Sequence, residues 1–184
     1  FDGEKISVPP TLLYSLIGNH HDVRQAVSSD FKRAGDAIYL LGETHQELGA
    51  SELACLLRDD YGGGIGGQVP SIDAERNIAL HRALSAAISD GLVASAHDCS
   101  DGGFATTLAE SCFGVNSGCT VDISSLYVND GELDGWGALF GESLGRILVS
   151  IASKDCEAFE TAMAGHACQQ IGEVGKGKQL TINN

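Results

Sequence analysis

The stretch that most constrains this chain runs from Leu92 to Cys112. An extended apolar run, Leu92-Val93-Ala94-Ser95-Ala96, enters the block His97-Asp98-Cys99-Ser100-Asp101-Gly102-Gly103 and leaves it as a helical run from Phe104 to Cys112. A strand that turns on two glycines into a helix lets the backbone approach a ligand closely, because glycine has no Cβ. The first N–H groups of the helix lack intrahelical partners and sit at the positive end of its dipole. Such a corner suits an anion such as phosphate. The same residues also read as a plain capped helix start, with Ser100 as N-cap and the glycines only turning the chain. Asp98 and Asp101 repel a bare phosphate unless Mg²⁺ or a basic group intervenes.

The chain has 184 residues, enough for one domain or two small ones, and is 43% apolar, enough for a real core. Its charged fraction of 20% excludes wholesale disorder. A net charge of -14 excludes a nucleic-acid binder and disfavours an anionic membrane surface, because both need clustered Lys and Arg. A small phosphorylated ligand stays open, since a local site overrides the global field. With no run of 18 apolar residues and no signal-peptide pattern, the sequence reads as a soluble cytoplasmic protein without a membrane partner. The six cysteines are scattered without a C-x-x-C pair, so they form neither a zinc framework nor a disulfide scaffold and read as free thiols. The chain begins at Phe1 and its only methionine is Met163, so the expectation is that a segment lies upstream.

Taken in order, Phe1 to Pro10 reads as an extended lead-in. Thr11 to Gly18 reads as a buried strand and Asn19 to Ser29 as a surface turn of helix, with His20 and His21 exposed. Ala37 to Gly42 is a second strand. Ser51 caps a helix to about Tyr61. Gly62 to Gly67 is glycine-dense, but no Lys-Ser/Thr follows as a P-loop requires, which favours a connector. Asp73 to Asp90 is an amphipathic helix stopped by Gly91. Cys119 to Ile123 alternates as a strand, Trp136 and Phe140 are expected core anchors, and Ile147 to Ile151 is the clearest strand. A helix over 154–167, a strand over 170–174, a turn and an ending strand over 180–182 complete one α+β domain, a mixed β-sheet with helices packed on it.

A second polar segment, Phe140-Gly141-Glu142-Ser143-Leu144-Gly145-Arg146, leads straight into the strand at Ile147. Glu142, Ser143 and Arg146 set between glycines suit a polar ligand. From spacing alone, an ion pair between Glu142 and Arg146 is the favoured reading. His97 is of the right type for a general base and equally for a hydrogen-bonded structural histidine, so no catalytic base and no metal ligand is assigned.

Four blocks stand in a fixed order: Pro9-Pro10-Thr11-Leu12-Leu13, Leu48-Gly49-Ala50-Ser51-Glu52, Ser95 to Gly103, and Leu139 to Arg146. Together they make the chain resemble the C-terminal domain of the aminoimidazole-ribonucleotide synthetase superfamily. Within it the chain is most similar to the phosphoribosylformylglycinamidine synthase family in its small-subunit (subunit II) form. That resemblance implies that residues 1–184 are a single C-terminal domain, with 1–10 as linker, of a larger ligase of purine synthesis. The ligase uses ATP and Mg²⁺ to activate the amide of formylglycinamide ribonucleotide, and glutamine-derived ammonia then gives the amidine. Implied partners are the remaining domains of the chain, a glutaminase subunit and a small bridging subunit.

The resemblance also makes Ser100, Asp101, Gly102, Gly103, Glu142, Ser143 and Arg146 phosphate or substrate-pocket candidates, with His97 and Asp98 as further polar contributors. In the first half of such enzymes a Glu-Ser-Gln stands where this chain has Glu142-Ser143-Leu144. The leucine removes an amide contact; apart from its other domains and the glutaminase the isolated chain is expected to be inactive, and the surface those domains would cover is expected to make it self-associate through the face near Phe140 and the central turn. The competing readings are a thiamine-monophosphate kinase, selenophosphate synthetase or hydrogenase-maturation relative, and a non-catalytic scaffold domain.

Overall fold

The computed structural model describes residues 11–20, 22–57, 67–114, 117–124, 126 and 133–183. In chain order the elements are β1 (Ala37–Leu41), α1 (Glu52–Leu56), α2 (Ala74–Ser89), β2 (Ser95–Asp98), α3 (Gly103–Ser111) and β3 (Cys119–Asp122). They continue with α4 (Gly135–Phe140), β4 (Ile147–Ile151), α5 (Cys156–Ala162), β5 (Cys168–Val174) and β6 (Leu180–Asn183). The strands form one six-stranded mixed sheet in the order β2-β4-β1-β5-β3-β6. Every pairing is antiparallel except β3 with β6.

Strand β1 shows why helices cover both faces. Successive strand side chains point to opposite sides, yet all five residues of Ala37–Leu41 are buried. Ile38 and Leu40 pack with Phe104 and Leu108 of α3 and Ala138 of α4. Ala37, Tyr39 and Leu41 pack with Leu80, Leu84 and Ala87 of α2 and Phe159 of α5. In β4, Leu148 joins the first core while Val149 and Ile151 join the second. A strand covered on both sides reads as an unbroken apolar run, which is how both segments look in the sequence. The buried hydroxyls of Ser95 and Ser150 lie opposite each other in register and bond at 2.6 Å, so neither costs an unpaired polar group.

The ends of α2 follow the local chemistry. The Asp73 carboxylate accepts the Arg76 N–H at 3.0 Å. At the other end Gly91 adopts φ +74° and the Leu92 N–H bonds back to the Ala87 carbonyl, which ties off the last turn. That closure uses Gly91 and Leu92, so β2 begins at Ser95 rather than Leu92 and takes in His97 and Asp98.

Several expectations are corrected. Thr11 to Gly18 is not a strand: it lies outside the sheet, with Leu16 97% and Ile17 99% exposed. An apolar run becomes a strand only where a neighbour supplies ladder hydrogen bonds, and the six strands pair among themselves. Helix α1 spans only Glu52–Leu56; residues 58–61 of the expected helix lie outside the described residues, as do His21 and 62–66 of the glycine run. Helix α5 ends at Ala162, with Gly165 at φ +85° just beyond, instead of running to 167. Trp136 is 56% exposed and stacks at 5.7 Å on Phe140 rather than anchoring in the core.

Candidate functional site

The two glycines of the central turn both take left-handed backbone, Gly102 at φ +79° and Gly103 at φ +66°. Non-glycine residues resist that conformation. A Cβ on Gly103 would lie 2.5 Å from the Gly141 carbonyl oxygen and 3.0 Å from the Phe140 carbonyl carbon. The start of α3 is therefore seated directly on the 139–141 segment, and this contact joins the two polar blocks of the sequence. Gly102, not Ser100, is the N-cap of α3, and it offers no side-chain cap.

Glu142 supplies the missing acceptor. Its Oε1 takes the Gly102 N–H at 2.9 Å and the Glu52 N–H at 2.9 Å, tying the starts of α3 and α1 to one carboxylate oxygen. The chain's own anion thus occupies the position at which a phosphate oxygen would meet the Gly102 amide. Beside it, Ala50 holds φ +60°, a conformation costing about 1–2 kcal/mol for a residue with a Cβ. Ser51 caps α1 through the Ala54 N–H at 3.1 Å.

Glu142 does not pair with Arg146; among the described residues no ion pair within 4.0 Å joins them. Arg146 is 1% exposed and grips backbone and hydroxyl oxygens instead. Its Nε donates to the Ser143 carbonyl at 3.4 Å, its Nη1 to the Thr44 hydroxyl at 3.2 Å, and its Nη2 to the Gly141 carbonyl. Burial pushes the guanidinium pKa down, and Cys99, Glu47 and Glu142 oppose that shift through their charge. Three of five guanidinium N–H groups are used in this way, which leaves two. Ser143 is 1% exposed, and its Oγ accepts the His45 N–H at 3.0 Å, so it braces the loop.

These residues surround a cavity of about 410 Å³ whose walls include Asp98, Ser100, Asp101, Glu142, Arg146 and His81. Gly102, Gly103 and Ser143 support these walls. His97 is turned away from the cavity: its Nδ1 lies 3.2 Å from the Ser111 hydroxyl and its Nε2 3.3 Å from Glu110 Oε2, so α3 takes both nitrogens. The Ser100 hydroxyl donates to Asp98 and holds that carboxyl below the usual carboxylate range. A depressed folded-state pKa adds stability above the unfolded value that is lost as pH falls through the folded one. In Ser100→Ala the Asp98 titration observed by carbon NMR is expected to move up toward 3.8. A curve unchanged from the parent would mean that the hydroxyl does not set it.

A second, larger cleft of about 870 Å³ lies across Leu144, which lines both. It holds Glu43, His45, Asp73, Arg76 and His166. Arg76 donates to Glu43 at 2.8 Å and lies 3.3 Å from Asp73, so its charge is already shared. Sequence reasoning missed this cleft. Arg76 on the polar side of α2 was the one available signal, and nothing in its spacing points to His166, ninety residues away in the chain.

A family described as AIR synthase related protein, C-terminal domain, matches residues 33–183. The chain belongs to that family. The AIR synthase related C-terminal domain also accounts for the fold. Thermotoga maritima PurL complexed with FGAR superposes with a TM-score of 0.73 at 21% identity, over 87% of this chain and 27% of that one. The structure of PurLQS from Thermotoga maritima matches at 0.67 and 22%, over 87% of this chain and 25% of that one. Escherichia coli HypE, a hydrogenase maturation protein, matches at 0.61 and 20%, over 85% and 48%. The chain therefore spans about a quarter of the length of the PurL chains it matches. Among the described residues no helix is long and apolar enough to cross a membrane.

Among the described residues no group of three or more His, Cys, Asp or Glu side chains is placed to hold a metal ion. Asp98, Asp101 and Glu142 line the cavity without converging. The described residues do not by themselves fit Mg²⁺.

Proposed function

We propose that the chain is the C-terminal domain of a phosphoribosylformylglycinamidine synthase of the subunit II type, and that the cavity between 98–101 and 142–146 receives the phosphate end of its ribonucleotide. The whole enzyme would use ATP to convert formylglycinamide ribonucleotide and glutamine-derived ammonia to the amidine. The observation that carries this reading is the junction of Gly103 on Gly141, which places Ser100, Glu142 and the buried Arg146 around one cavity. In it the two remaining Arg146 N–H groups would bind and orient an anion, and the Ser100 hydroxyl would join them only by releasing Asp98. Glu142 gives up the Gly102 amide as the anion arrives. Nothing in the cavity is assigned to proton transfer. ATP, Mg²⁺, the glutaminase and the bridging subunit belong to the rest of the assembly, where the ATP-binding domain would complete the site. Exposed Trp136, packed on the half-buried Phe140, suits a face covered by other domains and, in the isolated chain, a self-association contact.

The HypE likeness leaves a second reading, another member of the same superfamily. The occupied Gly102 amide supports a third, a scaffold domain that binds nothing. Titration calorimetry with inorganic phosphate and with formylglycinamide ribonucleotide, on the parent chain and on Glu142→Gln, separates the three. Removing one charge about 5 Å from the anion is worth roughly 1 kcal/mol near water. Glu142→Gln is therefore expected to bind both ligands about fivefold more tightly, with the ribonucleotide ahead of phosphate. Equal affinity for the two ligands would overturn the substrate and leave an anion site. No binding to either protein would overturn the pocket in favour of the scaffold.

A further inference from the structure

Cys112 is the C-cap of α3 and Cys119 is the first residue of β3. Their sulfurs lie 3.9 Å apart in the core formed on the α3 side of the sheet, and both thiols are free. The other four cysteines are placed differently. Cys99 is in the cavity wall, Cys55 is exposed on α1, and Cys156 and Cys168 pack against the opposite core. We infer that Cys112 and Cys119 are a built-in oxidative modification site, closing to an intramolecular disulfide on exposure to peroxide.

A disulfide bond is about 2.0 Å long, so the sulfurs must approach by a little under half their present separation. Cys112 is half-buried and open to a small oxidant, whereas Cys119 is 1% exposed and sheltered behind it. The order of events follows. The Cys112 thiolate attacks a peroxide oxygen, breaking the O–O bond and giving a sulfenic acid and hydroxide, which the proton lost from the thiol converts to one water. The Cys119 sulfur then attacks the Cys112 sulfur, displacing the second water as the S–S bond forms. Two electrons leave the two thiols and reduce one peroxide to two waters.

Burial pushes both thiols up, Cys119 to about 12 with Cys112 adding to the shift, so the thiolate is scarce at neutral pH. The reaction is therefore slow there and speeds up with alkalinity, because the thiolate is the nucleophile. The bond would tie the far end of α3 to β3, on the same helix whose start carries Gly102 and Gly103.

The test treats the chain with hydrogen peroxide from pH 7 to 8.5, quenches with an alkylating agent and maps the thiols by non-reducing peptide mass spectrometry. The expected product is a Cys112–Cys119 linked peptide, 2 Da lighter than its reduced parts. Its rate should rise about tenfold per pH unit while the thiolate is the minor form. Cys112→Ser is expected to abolish the link and leave Cys119 reduced. Cys119→Ala tests the buried position without adding a hydroxyl to the core, and is expected to leave Cys112 as a sulfenic acid trapped by dimedone. Oxidation confined to Cys55, a sulfinic acid at Cys112 with Cys119 reduced, or links only between chains would each overturn the inference.

Discussion

Gly103→Val is expected to cost about 3–4 kcal/mol and to lower the urea midpoint accordingly. Two separate effects add. A β-branched residue resists φ +66°, at about 1–2 kcal/mol or more. The new Cβ would also meet the Gly141 carbonyl oxygen at 2.5 Å, where the neighbour is backbone and cannot rotate away, and overpacking of that kind costs about 1–3 kcal/mol. Gly35 provides the control: it has φ +89° with nothing within 4 Å of a built Cβ, so Gly35→Ala carries only the backbone penalty of about 1 kcal/mol. Equal losses in the two variants would show that the contact between α3 and Gly141 is not tight. The same reasoning makes Gly103→Val a poor probe of ligand binding, because it disrupts the corner it is meant to test.

Arg146→Ala is expected to be as damaging, at about 3–5 kcal/mol by chemical denaturation. It empties a fully buried volume, and such truncations cost about 2–5 kcal/mol. It also strands the carbonyls of Gly141 and Ser143 and the Thr44 hydroxyl, where each unsatisfied buried group costs about 1–3 kcal/mol. These terms overlap, because water entering the hole would serve the stranded oxygens. Arg146→Met keeps much of the packing and loses only the donors, so it should recover roughly half of the loss. If methionine were no better than alanine, the polar grip would carry nearly all of the stability. If it matched the parent, the hydrogen bonds around the guanidinium would contribute nothing measurable.

How far the sequence reveals this protein depends on how local each determinant is. The helix from Asp73 to its stop at Gly91 and the apolar runs of β1 and β4 depend on residues within a turn or two, and they read correctly. The mixed sheet with packed helices follows from them. Thr11 to Gly18 fails for the opposite reason, because its hydrophobicity says nothing about whether a neighbouring strand exists. Ser100 has the composition of an N-cap, but the left-handed pair Gly102-Gly103 moves the cap two residues on and turns the Ser100 hydroxyl to Asp98.

At the candidate site the two polar segments of the sequence lie around one cavity, but with partners the spacing does not suggest. Glu142 and Arg146 are four residues apart, which favours an ion pair on a helix, but here the chain between them is a loop. Each instead satisfies backbone groups that only the folded structure brings near. In the block Leu48 to Glu52 the sequence shows only the cap at Ser51. The block acquires a further physical role once the Glu52 amide is seen to share its acceptor with Gly102.

The bracing of the loop 141–146 bears on the thermodynamics of recognition. Its exit residue is pinned inside the protein by the Arg146 fork, its middle by Ser143 against the His45 amide, and its entry by the Gly103 turn. A receptor wall immobilised before its guest arrives surrenders little conformational freedom on association. Discrimination at such a wall comes from fit and charge, with a small entropic penalty and fast capture, rather than from a slow remodelling of the host.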